Sequence, residues 1–495
     1  MTIIFNGHTF KYEIESVCKL FFPCVLFRHE YESYDFLRDD LIITRLKKGR
    51  RTTRLLAVIK RQDGMFCSHC VLANGHEKYE DECERLLAVA VYEALSAATG
   101  IQVKWGVMTG IRPVKQMNYW LEKGKTKEEV RRIFAEDYLV SPQKIALCEQ
   151  TLANQVDIIE ESKPNSYSLY VSIPFCPSRC SYCSFVSSSI AAPKAKALVE
   201  DYVDKLCEEL RYIGKIVAGL DLRLETAYIG GGTPTALTAE QLARLTACID
   251  ANFPMDTVKE YTIEAGRADT ITEEKLRVIR DAGATRISIN PQTFNDEVLQ
   301  NIGRRHTAQD AVDCYELAKK LGFTDINMDF IAGLPGDTLE SFQRTIDRAA
   351  ELSPTNITVH TLTIKRSSNL FHANELDENL KEMETSEMVE YAYQKLTEHG
   401  YEPYYLYRQK NTLQNLENVG YCKKGYEGLY NIYIMEEIHT ILAAGASAVS
   451  KLIRKKSQKV QRIFNYKYPF EYNRDFNTIL RRKDEIADFY QERKG

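Results

Sequence analysis

The chain has 495 residues, 44% of them hydrophobic and 27% charged, with 65 Lys and Arg against 69 Asp and Glu. Such a length calls for roughly two or three domains, and the composition is that of a soluble globular protein. A formal net charge of -4 supplies no basic field for nucleic acid. The basic runs Lys47–Arg51 and Arg454–Lys456 carry no interleaved aromatics and read as solvated surface.

The 13 cysteines do not argue for disulfides in a chain of this size. The apolar stretch Cys18–Phe27 is short and broken by Lys19 and Pro23, so it reads neither as a signal peptide nor as a membrane span. The expected location is a reducing cytoplasm, where clustered cysteines are more often metal ligands than bridges.

Residues 1–160 read as an α+β accessory domain. Ile3–Phe5 and Phe10–Ile14 alternate like the strands of a hairpin turning at Asn6-Gly7. Leu41–Leu46 and Thr53–Ile59 form a second such pair. Glu77–Ala98 has helical spacing and ends at Gly100, and Lys127–Glu161 is a helical tail. Cys67-Ser-His-Cys70 has metal-pair spacing but no second pair, which favours local packing.

Residues 165–400 alternate short apolar runs with amphipathic helices. The strands are Ser168–Ile173, Thr226–Gly230, Glu260–Ala265, Arg286–Asn290, Asp325–Ile331 and Asn356–Thr361. The helices are Lys194–Gly219, Ala239–Ala251, Thr272–Ala282, Ala308–Leu321 and Leu339–Leu352. Successive β–α units predict an α/β fold with a parallel sheet, open or curled into a partial barrel, and its chemistry at the carboxyl ends of the strands. Residues 401–495 form a mixed C-terminal extension opened by the aromatic run Tyr401–Tyr407.

Three features fall at the strand ends. The first is the loop Cys176-x3-Cys180-x2-Cys183 after the first strand, whose thiolates could hold three corners of an iron–sulfur cube. A structural zinc site would need a fourth ligand, which no downstream pair supplies. The second is Gly230-Gly231-Gly232-Thr233-Pro234, a turn that lets a ligand approach the backbone and leaves N–H and C=O groups to bind it. The third is a set of single polar residues, Glu264, Gln292, Arg304 and Asp329, suited to hold amino, hydroxyl or carboxylate groups.

Tyr170-Val-Ser-Ile-Pro-Phe-Cys176, Gly230–Pro234, Gln292-Thr-Phe with Ile302-Gly-Arg-Arg-His306, and Asp329-Phe-Ile-Ala-Gly-Leu-Pro-Gly336 occur in that order. Together they resemble the radical S-adenosylmethionine superfamily, and within it the oxygen-independent coproporphyrinogen III oxidase family, from about Tyr167 to His399. Trp105–Lys115 and Tyr407–Tyr421 resemble its HemZ-type branch. The resemblance implies a partial (β/α)6 barrel in which Cys176, Cys180 and Cys183 ligate a [4Fe–4S] cluster. S-adenosylmethionine would be held by Gly230, Gly231, Gly232 and Thr233, with Tyr182 near adenine and Glu264, Gln292, Arg304 and Asp329 lining its pocket. Tyr170 would stand close to the cluster as a catalytic residue.

The implied partners are a tetrapyrrole substrate and a one-electron donor of flavodoxin or ferredoxin type, with a monomer as the expected state. The implied reaction turns coproporphyrinogen propionates into vinyl groups in porphyrin synthesis. Two residues depart from the oxidases, which carry His at Ser172 and Cys at Phe185. They point to two alternatives: a haem-binding chaperone, since haem chaperones share these motifs, or a radical enzyme acting on haem itself. Tyr401–Tyr407 with Arg408 could cover a tetrapyrrole and pair a propionate, or form a core stripe, and His306 could be an iron ligand or structural.

Overall fold

The computed structural model describes residues 1–22, 25–31, 35–36, 38–108, 112–185, 187–364, 368, 384–409, 412–454 and 459–491. Thr109–Ile111, Lys410, Asn411, Lys455 and Lys456 of the motifs above lie outside the described residues. The chain divides into two compact units, Met1–Glu149 with Arg408–Leu416, and Gln150–Tyr407 with Glu417–Gly495.

In the first unit, β1 (Thr2–Asn6), α1 (Lys11–Phe21), β2 (Arg28–Tyr31), β3 (Leu41–Lys48), β4 (Thr52–Arg61) and β5 (Gly64–Ala73) precede α2 (Tyr79–Thr99). The sheet runs β2-β1-β3-β4-β5. The second expected hairpin is present as β3–β4. The first is not, because Phe10–Ile14 enters α1. The deciding pattern is Ile14, Val17, Cys18 and Phe21, all buried at helical spacing, while Tyr12 faces solvent. β1 pairs parallel with both neighbours, which requires a crossover rather than a tight turn. α2 ends at Gly100, whose φ of 72° makes it a left-handed cap. The helices α3 (Pro113–Glu122) and α4 (Lys127–Arg132) follow, and then α5 (Pro142–Glu161), most of which belongs to the second unit.

Cys67 pairs with Val58 and Cys70 with Leu55 along β5. Three residues apart on a strand, the two side chains point to opposite faces and do not form a metal pair.

The second unit follows the predicted alternation closely. It comprises β6 (Ser166–Ile173), the short β7 (Phe175–Cys176) and β8 (Ser188–Ser189), α6 (Pro193–Ala218), β9 (Arg223–Gly231), α7 (Ala239–Asn252), β10 (Glu260–Gly266), α8 (Glu273–Asp281) and β11 (Arg286–Gln292). Then come α9 (Asp296–Asn301), α10 (Ala308–Lys320), β12 (Ile326–Ala332), α11 (Leu339–Leu352), β13 (Asn356–Thr361) and α12 (Thr385–Glu398). The six expected strands are parallel and lie in chain order, β6-β9-β10-β11-β12-β13, which is single winding rather than the order reversal of a doubly wound sheet, and β16 joins β6 as a seventh parallel strand.

The remainder contributes β14 (Glu402–Arg408), β15 (Glu417–Cys422), α13 (Leu429–Glu436), β16 (Thr440–Ala444), β17 (Val449–Arg454), β18 (Lys459–Phe464), α14 (Pro469–Arg474) and α15 (Phe476–Gln491). β15 and β14 extend the sheet beyond β13, and β16, β17 and β18 extend it beyond β6, giving one open sheet of 11 strands. An unclosed parallel core leaves two edges of unpaired backbone, and these strands cover both.

One face of the core strands is apolar. Leu169, Val171, Ala227, Ile229, Ile263, Ile287, Ile289, Met328, Phe330, Ile357 and Val359 are buried. Each such aliphatic or aromatic side chain contributes about 1.5–3 kcal/mol by leaving water. The last helix is locked by an ion pair with no exposure on either side: Lys483 Nζ lies 3.0 Å from Glu209 Oε1. Lys483 also donates to the Ala443 carbonyl (2.8 Å) and Asn465 Oδ1 (2.9 Å), and Glu209 Oε2 accepts from Gly445 N (2.8 Å) and the Tyr472 hydroxyl (2.6 Å).

Candidate active site

The opposite face of the core strands is polar, because alternate residues share it. In-register pairing sets Tyr170 beside Tyr228 and Ser172 beside Gly230, and Thr262 beside Tyr228. Two residues on from Thr262 comes Glu264, and Asp329 lies beside Thr358. Thus Tyr170, Gly230, Glu264 and Asp329, expected at the rim, fall on one face.

The Tyr228 hydroxyl donates to Glu264 Oε1 at 2.5 Å. Burial raises the Glu264 carboxyl to about 7; the Tyr228 hydrogen bond opposes this, the Asp329 charge adds to it, and His360 opposes it. Asp329 behaves in the reverse way. Burial would raise it, but His360, Asn327 and Thr358 outweigh burial and hold it below the usual carboxylate range. Asn327 Nδ2 donates to Asp329 Oδ1 at 2.8 Å, and His360 Nε2 lies 3.9 Å from the same oxygen. The two carboxyls are thus pushed in opposite directions by their surroundings, the pattern that separates an acid from an anion in paired-carboxyl sites.

Tyr170, Tyr228 and Tyr430 form a stacked trio, with centroid separations of 6.2, 6.3 and 4.6 Å. Sequence reading missed Tyr228 and Tyr430. Tyr228 shares the period-2 face with Gly230. Tyr430 is brought in by α13, whose first amides, Leu429 N and Tyr430 N, bond to the Glu260 carboxylate at 2.7 and 3.2 Å. A carboxylate at a helix start is favourable, but nothing local in the sequence pairs residues 260 and 430.

The cysteine loop is fixed from several sides. Cys176 lies in β7, paired with β8. Ser181 N donates to the Ile302 carbonyl (3.1 Å) and Ser178 Oγ to the Gly303 carbonyl (3.2 Å). Cys183 N closes a turn on the Cys180 carbonyl (3.2 Å). Thr233 Oγ1 donates to Cys176 Sγ at 3.5 Å, and Arg267 Nη1 to Cys180 Sγ at 3.6 Å.

The glycine turn packs directly on this loop. Gly232 N and Thr233 N donate to the Ile173 and Phe175 carbonyls, both at 2.8 Å. Those two N–H groups are therefore engaged within the chain and not turned to a ligand, which narrows the expectation for the turn at Gly232 and Thr233. A Cβ on Gly232 would stand 2.7 Å from the Phe175 carbonyl oxygen and 2.9 Å from Cys176 Sγ, so glycine is required there.

Arg304 is buried, donating from Nη1 to the Asn290 carbonyl (2.6 Å) and from Nη2 to the Tyr182 hydroxyl (3.2 Å). Gln292 ends β11 at φ 73°, where the register with β12 breaks. A left-handed non-glycine costs about 1 kcal/mol and turns its side chain off the strand's alternation. Ser172 is buried with its carbonyl accepting from Tyr202 (2.8 Å), and Phe185 is 68% exposed. His306 is buried with Nδ1 3.7 Å from Asp269 Oδ1. Arg408 is buried too, donating to the Met108 carbonyl at 2.5 Å over the Trp105 ring, and Tyr404 and Tyr405 are core. The core-stripe alternative is the one observed.

Three soft thiol donors on one backbone-anchored loop, two of them already accepting hydrogen bonds, suit iron. Among the described residues no three His, Cys, Asp or Glu side chains converge on a single metal ion; ligands of a cube each take a different iron, so such convergence is not required. Burial raises the Cys176 thiol, and that of Cys183 to about 11. Bound iron would reverse that direction.

Residues 170–349 match the Radical SAM superfamily model. The chain is 41% identical over 385 residues to the oxygen-independent coproporphyrinogen-III oxidase-like protein HemZ of Bacillus subtilis (strain 168), covering 77% of this chain and 76% of that protein. It is 33% identical over 284 residues to the heme chaperone HemW of the same organism, covering 56% of this chain and 70% of that one. The solved coproporphyrinogen III oxidase HemN from Escherichia coli superposes with a TM-score of 0.50 at 22% identity, over 66% of this chain and 72% of that one, a likeness of fold. Fold and site define a radical S-adenosylmethionine protein. The chain belongs to the HemZ-like family of oxygen-independent coproporphyrinogen III oxidase-like proteins.

Proposed function

We propose that the protein is a radical S-adenosylmethionine oxidoreductase that converts the propionates of coproporphyrinogen III to vinyl groups without oxygen, in haem synthesis. The observation that carries this reading is the docking of the cysteine loop on the glycine turn, through Thr233 to Cys176, at the rim bearing Glu264 and Asp329. Cys176, Cys180 and Cys183 would hold three irons of a [4Fe–4S] cluster. Gly230–Thr233 would accept the amino group of S-adenosylmethionine on its carbonyls. Gln292, Arg304 and Tyr182 would line the pocket on the side of the loop, and Glu264 and Asp329 across from it.

When bound, the cluster and S-adenosylmethionine supply one-electron cleavage of a sulfonium and a hydrogen-abstracting carbon radical. The chain's part is to orient and exclude. Tyr170, Tyr228 and Tyr430 wall one side against water, and Tyr170 stands nearest the loop in sequence. The electron donor is a flavodoxin- or ferredoxin-type protein, the cytoplasm the working compartment and a monomer the working state. Among the described residues no helix is long and apolar enough to cross a membrane.

A second reading, haem binding and delivery, draws on Ser172, exposed Phe185 and the likeness to the heme chaperone HemW. Anaerobic incubation of the reconstituted full chain with S-adenosylmethionine and dithionite, in parallel with coproporphyrinogen III and with haem, separates the two. The enzyme reading expects 5′-deoxyadenosine and vinyl products. Stoichiometric haem binding with no vinyl product would replace it by the second, and products derived from haem would indicate a reaction on haem itself.

A further inference from the structure

Behind the cysteine loop lies a buried group that the roles above do not use. Arg267 follows β10 and is 4% exposed. Its guanidinium is clamped by Asp269 in bidentate fashion, Nε to Oδ1 at 2.9 Å and Nη2 to Oδ2 at 2.8 Å. His306 backs the same carboxylate at 3.7 Å. The remaining nitrogen, Nη1, points into the loop and donates to Ser178 Oγ (2.9 Å), the Ser178 carbonyl (3.1 Å) and Cys180 Sγ (3.6 Å). Arg304, also close to Cys180, sends its donors to Asn290 and Tyr182 instead. Arg267 thus places a guanidinium N–H on a ligand sulfur, and Asp269 fixes its plane.

We propose that Arg267, positioned by Asp269, tunes the cluster held by Cys180 by donating an N–H···S hydrogen bond that stabilises its reduced, more negative form. The inference rests on the cluster reading above. Donors to cluster sulfurs and the charge around them set reduction potentials, and the bidentate fork keeps the third nitrogen aimed at the sulfur at little further cost in side-chain entropy. The direction follows from charge: reduction adds an electron beside a fixed cation, so Arg267 raises the midpoint potential. Arg267 is a positioning and tuning residue, not a group that touches substrate.

The test is a mediator-based redox titration, followed by electron paramagnetic resonance, of anaerobically reconstituted full-length protein carrying R267M or R267K. Iron and sulfide per chain are measured in parallel. The expected order of midpoint potential is wild type, then R267K, then R267M as the most negative, with iron content kept near wild type. Equal potentials in the three proteins at equal iron content would overturn the inference while leaving the cluster reading intact. A wild-type chain that takes up no iron would instead overturn the cluster reading. If R267M does not fold, R267Q decides: loss of the cation should lower the potential in the same direction as R267M, and an unmoved potential at wild-type iron content overturns the inference.

Discussion

The Tyr228 hydroxyl donates to Glu264 Oε1 at 2.5 Å, on the polar inner face of a sheet whose other face is packed with aliphatic side chains. This hydrogen bond is not enough to keep Glu264 an ordinary carboxylate, since burial raises it to about 7. A group whose folded pKa lies above its unfolded value near 4.5 is stabilising to the protonated fold. The cost of ionising it builds as pH climbs from about 4.5 to about 7. E264Q should therefore stabilise the fold relative to wild type more at pH 8 than at pH 5, by a difference on the order of 2 kcal/mol, seen as a larger rise in melting temperature at pH 8. Thermal melts at the two pH values check this, and a pH-independent difference would remove the buried-acid account.

Gly232 separates the glycine turn from the cysteine loop, with no room for a methyl group between the Phe175 carbonyl and Cys176 Sγ. G232A should leave a folded protein, destabilised by about 1–3 kcal/mol as overpacking is elsewhere. Iron retention after anaerobic reconstitution should fall several-fold, because the loop must move. Iron analysis beside a denaturant melt separates the two effects.

Lys483 and Glu209 meet with no solvent on either side, deep under the C-terminal helix. K483M leaves Glu209 buried and unpaired, and such a break costs about 3–5 kcal/mol. The double variant E209Q/K483M should recover much of that loss. Denaturant unfolding of the single and double variants measures it; equal stability of K483M and wild type would mean the pair does not lock the helix.

Much of the second unit was legible in the sequence because its parallel strands are buried on the helix side and bounded by glycines and caps. Asn356–Thr361 and Leu339–Leu352 begin and end at the residues the pattern indicated. Phe10–Ile14 misled because five residues satisfy a period of 2 while the longer set Ile14, Val17, Cys18 and Phe21 satisfies 3.6. β16 escaped notice because Thr440–Ala444 is a short run with no helix after it, and only pairing to β6 makes it a strand. Of the site, the cysteines, glycines and single polar residues were legible as motifs. Tyr430 and Arg267 were not, because their roles depend on Glu260 and Cys180, which are distant in the chain.

The central claim is that Cys176, Cys180 and Cys183 hold a cluster that cleaves S-adenosylmethionine. It is tested most directly by measuring iron and 5′-deoxyadenosine for wild type and C180A, reconstituted without oxygen and reduced with dithionite. The account predicts about four irons per chain and steady 5′-deoxyadenosine formation in wild type, with both lost in C180A. An iron-free wild type, or a C180A protein that forms 5′-deoxyadenosine at the wild-type rate, would contradict it.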